Sequence, residues 1–222
     1  MAVIAGAALG GRHGAHTPIG IGFRAGRGGS VVVGVAADPG GPRVVLSSFL
    51  TTAAEGDRLA FEPYHVAAGM KRDAQGGVSA EATTAVAEGR ERQDRLAAEG
   101  LDDIFRQLRD EGCEPIVAAL LVNRAGWITD LLSYSLEWPE HAAVAEGLAV
   151  RDALRFACRG RGLDIAEMDE KSLPEVASTA LRLSPDDITS RLKAMGGTVG
   201  APWRKEQKLA CLSAWVAIAL RP

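Results

Sequence analysis

Aromatic side chains are scarce in this chain, 5% of 222 residues, and only three cysteines occur, Cys113, Cys158 and Cys211, an odd number placed far apart. That spacing excludes a disulfide framework and a metal knuckle, and it favours reduced, buried thiols in a cytoplasmic protein. No run of about 18 apolar residues is present, so no membrane span is expected, and Met1 to Leu9 lacks the basic start of a signal peptide. An excess of positive charge is also missing: 25 Lys and Arg against 28 Asp and Glu give a formal net charge of −3, so any nucleic-acid site must be a local patch. The glycine groups Gly26 to Gly29 and Gly196 to Gly200 lack the spacing of nucleotide-phosphate loops. What remains is the 47% hydrophobic, 24% charged composition of an ordinary globular chain, expected to fold unaided as one domain.

The most legible stretch is Ser30 to Thr52. Two β-branched runs, Val31 to Val35 and Val44 to Leu50, flank Asp38, Pro39, Gly40, Gly41 and Pro42, a set that reverses a chain, and the pattern predicts a hairpin at the centre of a sheet. Residues 1–29, rich in Gly and Ala and without sustained periodicity, are expected to form a disordered leader, with residues 30–222 as the domain. Arg58 to Ala68 reads as a third, edge-like strand limited by Pro63. A long helix follows from Ala80 to Glu111, then a buried strand from Glu114 to Asn123, a helix from Pro139 through Arg159, and a short strand from Leu163 to Met168. Ser172 and Ser184 are caps for two further helices, and Pro202 opens a terminal helix with Leu209, Leu212, Val216 and Ala219 on one face. The order β-β-β-α-β-α-β-α describes a mixed five-stranded α/β sheet with helices on its faces.

That order resembles the ribonuclease H-like superfamily. Several phrases look like its RuvC-type Holliday junction resolvases: GVAADPG (Gly34 to Gly40), AEGLAVRDAL (Ala145 to Leu154), MDEKSL (Met168 to Leu173) and RKEQKLACLSAWVAIAL (Arg204 to Leu220). The resemblance implies two divalent metal ions on carboxylates from the first strand, the fourth strand and the final helix, because charge builds on both the attacking and the leaving oxygen of a phosphodiester. This sequence departs from that pattern. Ala36 stands where the first-strand aspartate is expected, Val122, Asn123 and Arg124 end the fourth strand, and Ala214 takes the place of a final-helix acid.

Asp38 is read as a turn residue, with a metal-ligand role as the competing reading. Glu62 with His65, and Glu140 with His141, have the chemistry of acid/base pairs but the spacing of surface or capping residues, and Glu137, Glu140 and Glu146 complement the positive end of a helix. Arg151, Arg155 and Arg159 recur every fourth residue, with Arg161 beyond, as a basic stripe able to meet phosphates. Trp203, Arg204 and Lys205 form a candidate stacking and phosphate corner, although packing is the preferred role for Trp203. Three functions are carried forward. The first is a catalytically degenerate ribonuclease H-like module that needs no cofactor and binds or assembles, with nucleic acid or a second copy of the chain as its partner. The second is a Mg²⁺-dependent nuclease with a rearranged cluster of Asp38, Glu140 and Glu146, and the third is a partner-binding protein without a nucleic-acid role.

Overall fold

The computed structural model describes residues 16–38, 40–123 and 127–221. The five-stranded sheet runs β3-β2-β1-β4-β5, where β1 is Thr17–Gly26, β2 Gly29–Asp38, β3 Gly41–Thr51, β4 Cys113–Val122 and β5 Ile165–Asp169. The expected hairpin is β2 and β3, paired antiparallel from Gly29 opposite Thr51 to Asp38 opposite Gly41. Its apolar run does lie under helices on both faces, Val32 on one and Val33 and Val35 on the other, but the central strand is β1.

The leader is therefore corrected: residues 1–15 lie outside the described residues, whereas Thr17–Gly26 is a ten-residue strand. Its two faces explain both the structure and the misreading. Ile19, Ile21 and Phe23 point into one core, while Gly20 and Gly22 point at the terminal helix α8, Lys205–Ala219. A Cβ on Gly22 would stand 1.9 Å from the Ala210 carbonyl oxygen, and one on Gly20 2.5 Å from that of Ala214. These glycines let a helix lie directly on the central strand.

The third-strand expectation is also corrected. Arg58–Phe61 and Pro63–Ala68 are two short helices, α1 and α2. The Asp57 carboxylate accepts from the Ala60 amide at 3.1 Å, and Pro63 occupies the first turn of α2, where its missing N–H costs nothing. The strand count stays at five because β1 replaces the lost one.

Helices α3 (Ala80–Asp110) and α5 (Ala142–Gly160) cover one face of the sheet. Between β4 and α5 lie α4, Leu131–Glu137, and the 3-10 turn Pro139–His141. The other face carries α6 (Leu173–Leu181), α7 (Pro185–Val199) and α8. Helix α8 is wedged between the sheet and α6 and α7, so it is buried on nearly every side from Ala210 to Ile218 rather than along the single face expected. Leu212 and Val216 are buried as expected, Leu209 is half-buried, and Ala219 is exposed. All three cysteines are buried, and desolvation pushes the Cys158 and Cys211 thiols up to about 12, leaving them inert. No helix among the described residues is long and apolar enough to cross a membrane.

Candidate functional site

Strands β1, β4 and β5 run parallel, so their C-terminal ends share one edge of the sheet, where ligands of open α/β sheets gather. Arg24 lies near the end of β1 there, Asn123 follows β4, Glu170 follows β5, and the first turn of α8 adds Lys205 and Glu206. Arg24 faces the α8 side, as alternation after Gly20 and Gly22 requires. Its guanidinium forks onto Glu170, Nε to Oε2 at 3.1 Å and Nη2 to Oε1 at 3.4 Å, and its Nη1 stands 3.9 Å from Glu206. Lys205 Nζ is 4.0 Å from the same Glu170 carboxylate.

From the opposite face of the sheet, α5 brings Arg151, whose Nη1 donates to Asn123 Oδ1 at 2.8 Å. Its Nε is buried and has no acceptor among the described residues. Burial first, and then the like charge of Arg155, pulls the Arg151 guanidinium below its ordinary value without discharging it. A cleft of about 330 Å³ opens between these elements, lined by Arg24, Arg27, Asn123, Gly147, Arg151 and Glu170.

The carboxylates proposed for a rearranged metal cluster do not converge. Asp38 ion-pairs with Arg43 at 3.1 Å, beside the start of β1: Ala36 pairs with Ile19, whereas Arg24 pairs with Val31. The stretch of β2 from Val31 to Asp38 puts roughly 20 Å between Asp38 and the cleft, too far to share a metal ion. Glu140 is exposed on the 3-10 turn. Glu146 is fully buried, and its Oε1 accepts from the Tyr64 amide at 2.9 Å and the His65 amide at 3.0 Å, with His65 Nδ1 at 3.3 Å. It therefore caps α2 rather than serving its own helix, and burial pushes its carboxyl up to about 7. Glu62, weighed as an acid/base partner of His65, pairs with Arg58 and Arg27, and His141 stacks between Tyr134 and Trp138. Among the described residues no group of three or more His, Cys, Asp or Glu side chains can hold a metal ion. Glu170, which lines the cleft, and Glu206 both face the Arg24 cation, so these residues do not fit a pair of divalent ions.

The basic stripe is divided. Arg155 bonds Glu167 of β5 at 2.6 Å and Asp152 at 2.8 Å, Arg161 pairs with Asp102 of α3, and Arg159 donates to the Arg155 carbonyl at 3.2 Å. Only Arg151 lines the cleft. Trp203 packs: its Nε1 donates to the Leu192 carbonyl at 2.9 Å and its ring fills the space a Cβ on Gly196 would need, 2.1 Å away. Arg204 is exposed as the N-cap of α8, its amide donating to Gln207 Oε1 at 3.0 Å. Arg24 and Arg27 were hidden from sequence reasoning inside the supposed leader, although Pro18-Ile19-Gly20-Ile21-Gly22-Phe23 alternates with the period of a strand.

A mixed sheet of this order, helices on both faces and a terminal helix lying on the first strand define a ribonuclease H-like fold. Known structures agree: Thermus thermophilus RuvC aligns over 90% of this chain and 93% of its own, with a TM-score of 0.50 and 13% identity. The same organism's RuvC in complex with a Holliday junction substrate aligns over 90% and 92%, with a TM-score of 0.51 and 11% identity. A weaker likeness is to the yeast mitochondrial Holliday junction resolvase Ydc2, with a TM-score of 0.42, 12% identity, and 92% of this chain against 77% of that one. No protein-family profile and no curated protein sequence matches the chain.

Proposed function

We propose that this chain is a ribonuclease H-like module that binds nucleic acid without hydrolysing it. The observation that carries the reading is Arg24. The fold resemblance asks for acids on the first strand, the fourth strand and the final helix, and here the first strand carries, near its C-terminal end, an arginine forked onto Glu170. The fourth strand is followed by Asn123, bonded to Arg151. A guanidinium set between Glu170 and Glu206 repels a divalent cation and neutralises the ligands that would bind it, whereas the same cation attracts a phosphate. On this reading the cleft offers a phosphate positive charge where the resemblance leads one to expect metal-binding acids.

Branched DNA is the first ligand to test, since one of the similar structures holds a Holliday junction. The purified chain with Mg²⁺ or Mn²⁺ should leave four-way junctions, single strands and RNA–DNA hybrids uncut, yet bind at least one of them with an affinity that falls steeply as salt rises, because each neutralised phosphate releases counterions. Metal-dependent cleavage abolished by Arg24→Gln would overturn the reading. The internal pairing of Arg155 and Arg161 favours the alternative of a protein-binding module, and salt-independent capture of a protein with no nucleic-acid binding would establish it.

A further inference from the structure

The cleft at the ends of β1 and β4 contains more positive charge than its own acids balance. Arg24, Arg27 and Arg151 line it with Glu170 as the one lining carboxylate among the described residues, and Glu206 stands beyond on α8. Arg27 is partly committed elsewhere, 3.6 Å from Glu62 and 5.1 Å above the Phe61 ring. Arg151 is fixed by its Nη1 bond to Asn123, but its desolvated Nε has no acceptor among the described residues, an arrangement that costs free energy until one arrives. Arg24, by contrast, has an exchangeable partner. Glu170 is 29% exposed and Lys205 Nζ already lies 4.0 Å from it, so the carboxylate has a second cation to turn to if Arg24 is drawn away.

We propose that this cleft is a metal-free phosphate seat, in which Arg151 and Arg24 together grip one phosphate group and Glu170 is the displaceable carboxylate that occupies Arg24 until the ligand enters. The inference rests on the nucleic-acid reading above for the identity of the ligand, but not for its chemistry. An Arg pair suits a phosphate because each planar guanidinium presents parallel donors that match two phosphate oxygens, and neither needs a metal ion as intermediary. Two sources carry that group, an internal phosphodiester of a strand and the phosphomonoester at a strand end. A cleft of about 330 Å³ has room for the phosphate and the sugar attached to it.

The test measures binding of a labelled four-way junction, and of one oligonucleotide with and without a 5′-phosphate, to the full chain by fluorescence anisotropy over a salt series. Arg151→Gln and Arg24→Gln should each weaken binding about 10- to 100-fold and lower the log–log salt slope by about one. Glu170→Gln should tighten binding, which keeps the inference testable even if Arg151→Gln fails to fold. Arg106→Gln, an exposed cation on α3 paired with Asp103, should leave it unchanged. Preference for the phosphorylated oligonucleotide places the strand end in the seat, and equal affinity places an internal diester there. Should the wild type and both arginine variants bind with equal affinity and slope, the seat is wrong and the nucleic-acid reading survives. Should the wild type bind no nucleic acid while inorganic phosphate raises its melting temperature and not that of Arg151→Gln, the seat stands and the proposed function falls; loss of both signals removes both.

Discussion

Glu146 gives the sharpest quantitative prediction, because its ionisation is coupled to the docking of α2. Its carboxyl rises from 4.5 to about 7 in the folded chain, mainly through burial, although the Tyr64 and His65 amides oppose the rise. Between those two values the unfolded chain has released this proton and the folded chain still holds it, so stability contributed by the protonated form is fully present below about 4.5 and is lost as pH climbs through about 7. At 1.36 kcal/mol per pKa unit the loss is roughly 3 kcal/mol, an upper bound because His65 Nδ1 at 3.3 Å can share the proton. Glu146→Gln removes the titration and keeps an oxygen for the two amides. Near pH 5 the variant and wild type should have similar stability, since both place an unpartnered donor where Oε2 stands. Above neutrality the variant should be the more stable, with a gap in melting temperature of about 6 to 12 °C for a chain of this size. Thermal melts followed by circular dichroism across that range give the difference curve. A curve that stays flat, or that turns against the Gln variant as pH rises, refutes the assignment of a buried, strained carboxylate.

Two further substitutions probe the packing of α8. Gly22→Ala should destabilise by at least about 1 to 3 kcal/mol, because its Cβ would meet the Ala210 carbonyl at 1.9 Å and backbone cannot yield cheaply, whereas Gly197→Ala, open on all sides in α7, should be neutral or stabilising by up to about 1 kcal/mol in urea melts. Leu212→Ala, at a site 5% exposed, should cost about 2 to 5 kcal/mol by the same measurement, and a cost below about 1 kcal/mol would mean α8 is not wedged as described.

What the sequence made legible was local. The hairpin β2–β3 could be read because β-branched runs and a turn-forming set lie within one short stretch, and the helix opened by Ser184 because its cap sits three residues from the amide it serves, whereas the Ser172 side chain makes no such bond. What it concealed depends on distant partners. Gly20 and Gly22 read as flexible leader because α8, the reason for their small size, lies at the other end of the chain. Pro63 read as a strand edge because Glu146, which accepts from the next two amides, comes from a helix far along the sequence. Missing β1 also displaced the resemblance by one strand: Ala36 lies on β2 and not on the first strand, where the resemblance expects its aspartate. Of the site, the Arg151 stripe, Lys205 and the phrase containing Glu170 were visible, but Arg24, which joins them, was not.

That displaced alignment is open to a direct test, because two substitutions that each add an acid should behave in opposite ways. Ala214, taken from the sequence as the final-helix acid position, is fully buried with its carbonyl against Gly20, well inside the helix and away from the cleft. Ala214→Asp would bury a carboxylate with no cation or donor provided for it, at a cost of several kcal/mol, so it should reduce soluble yield and confer no cleavage. Arg24 lies instead at the open end of the strand, 28% exposed, within reach of both Glu170 and Glu206. Arg24→Asp should fold, should lose phosphate-dependent binding, and should bring three carboxylates together where the wild type has a cation between two, so Mn²⁺ should raise the melting temperature of the variant and not of the wild type. An equal Mn²⁺ effect on the wild type would show that Glu170 and Glu206 already bind metal beside Arg24, and Mg²⁺-dependent cleavage by a well-folded Ala214→Asp variant would show that the terminal helix, not the end of β1, holds the position that decides catalysis.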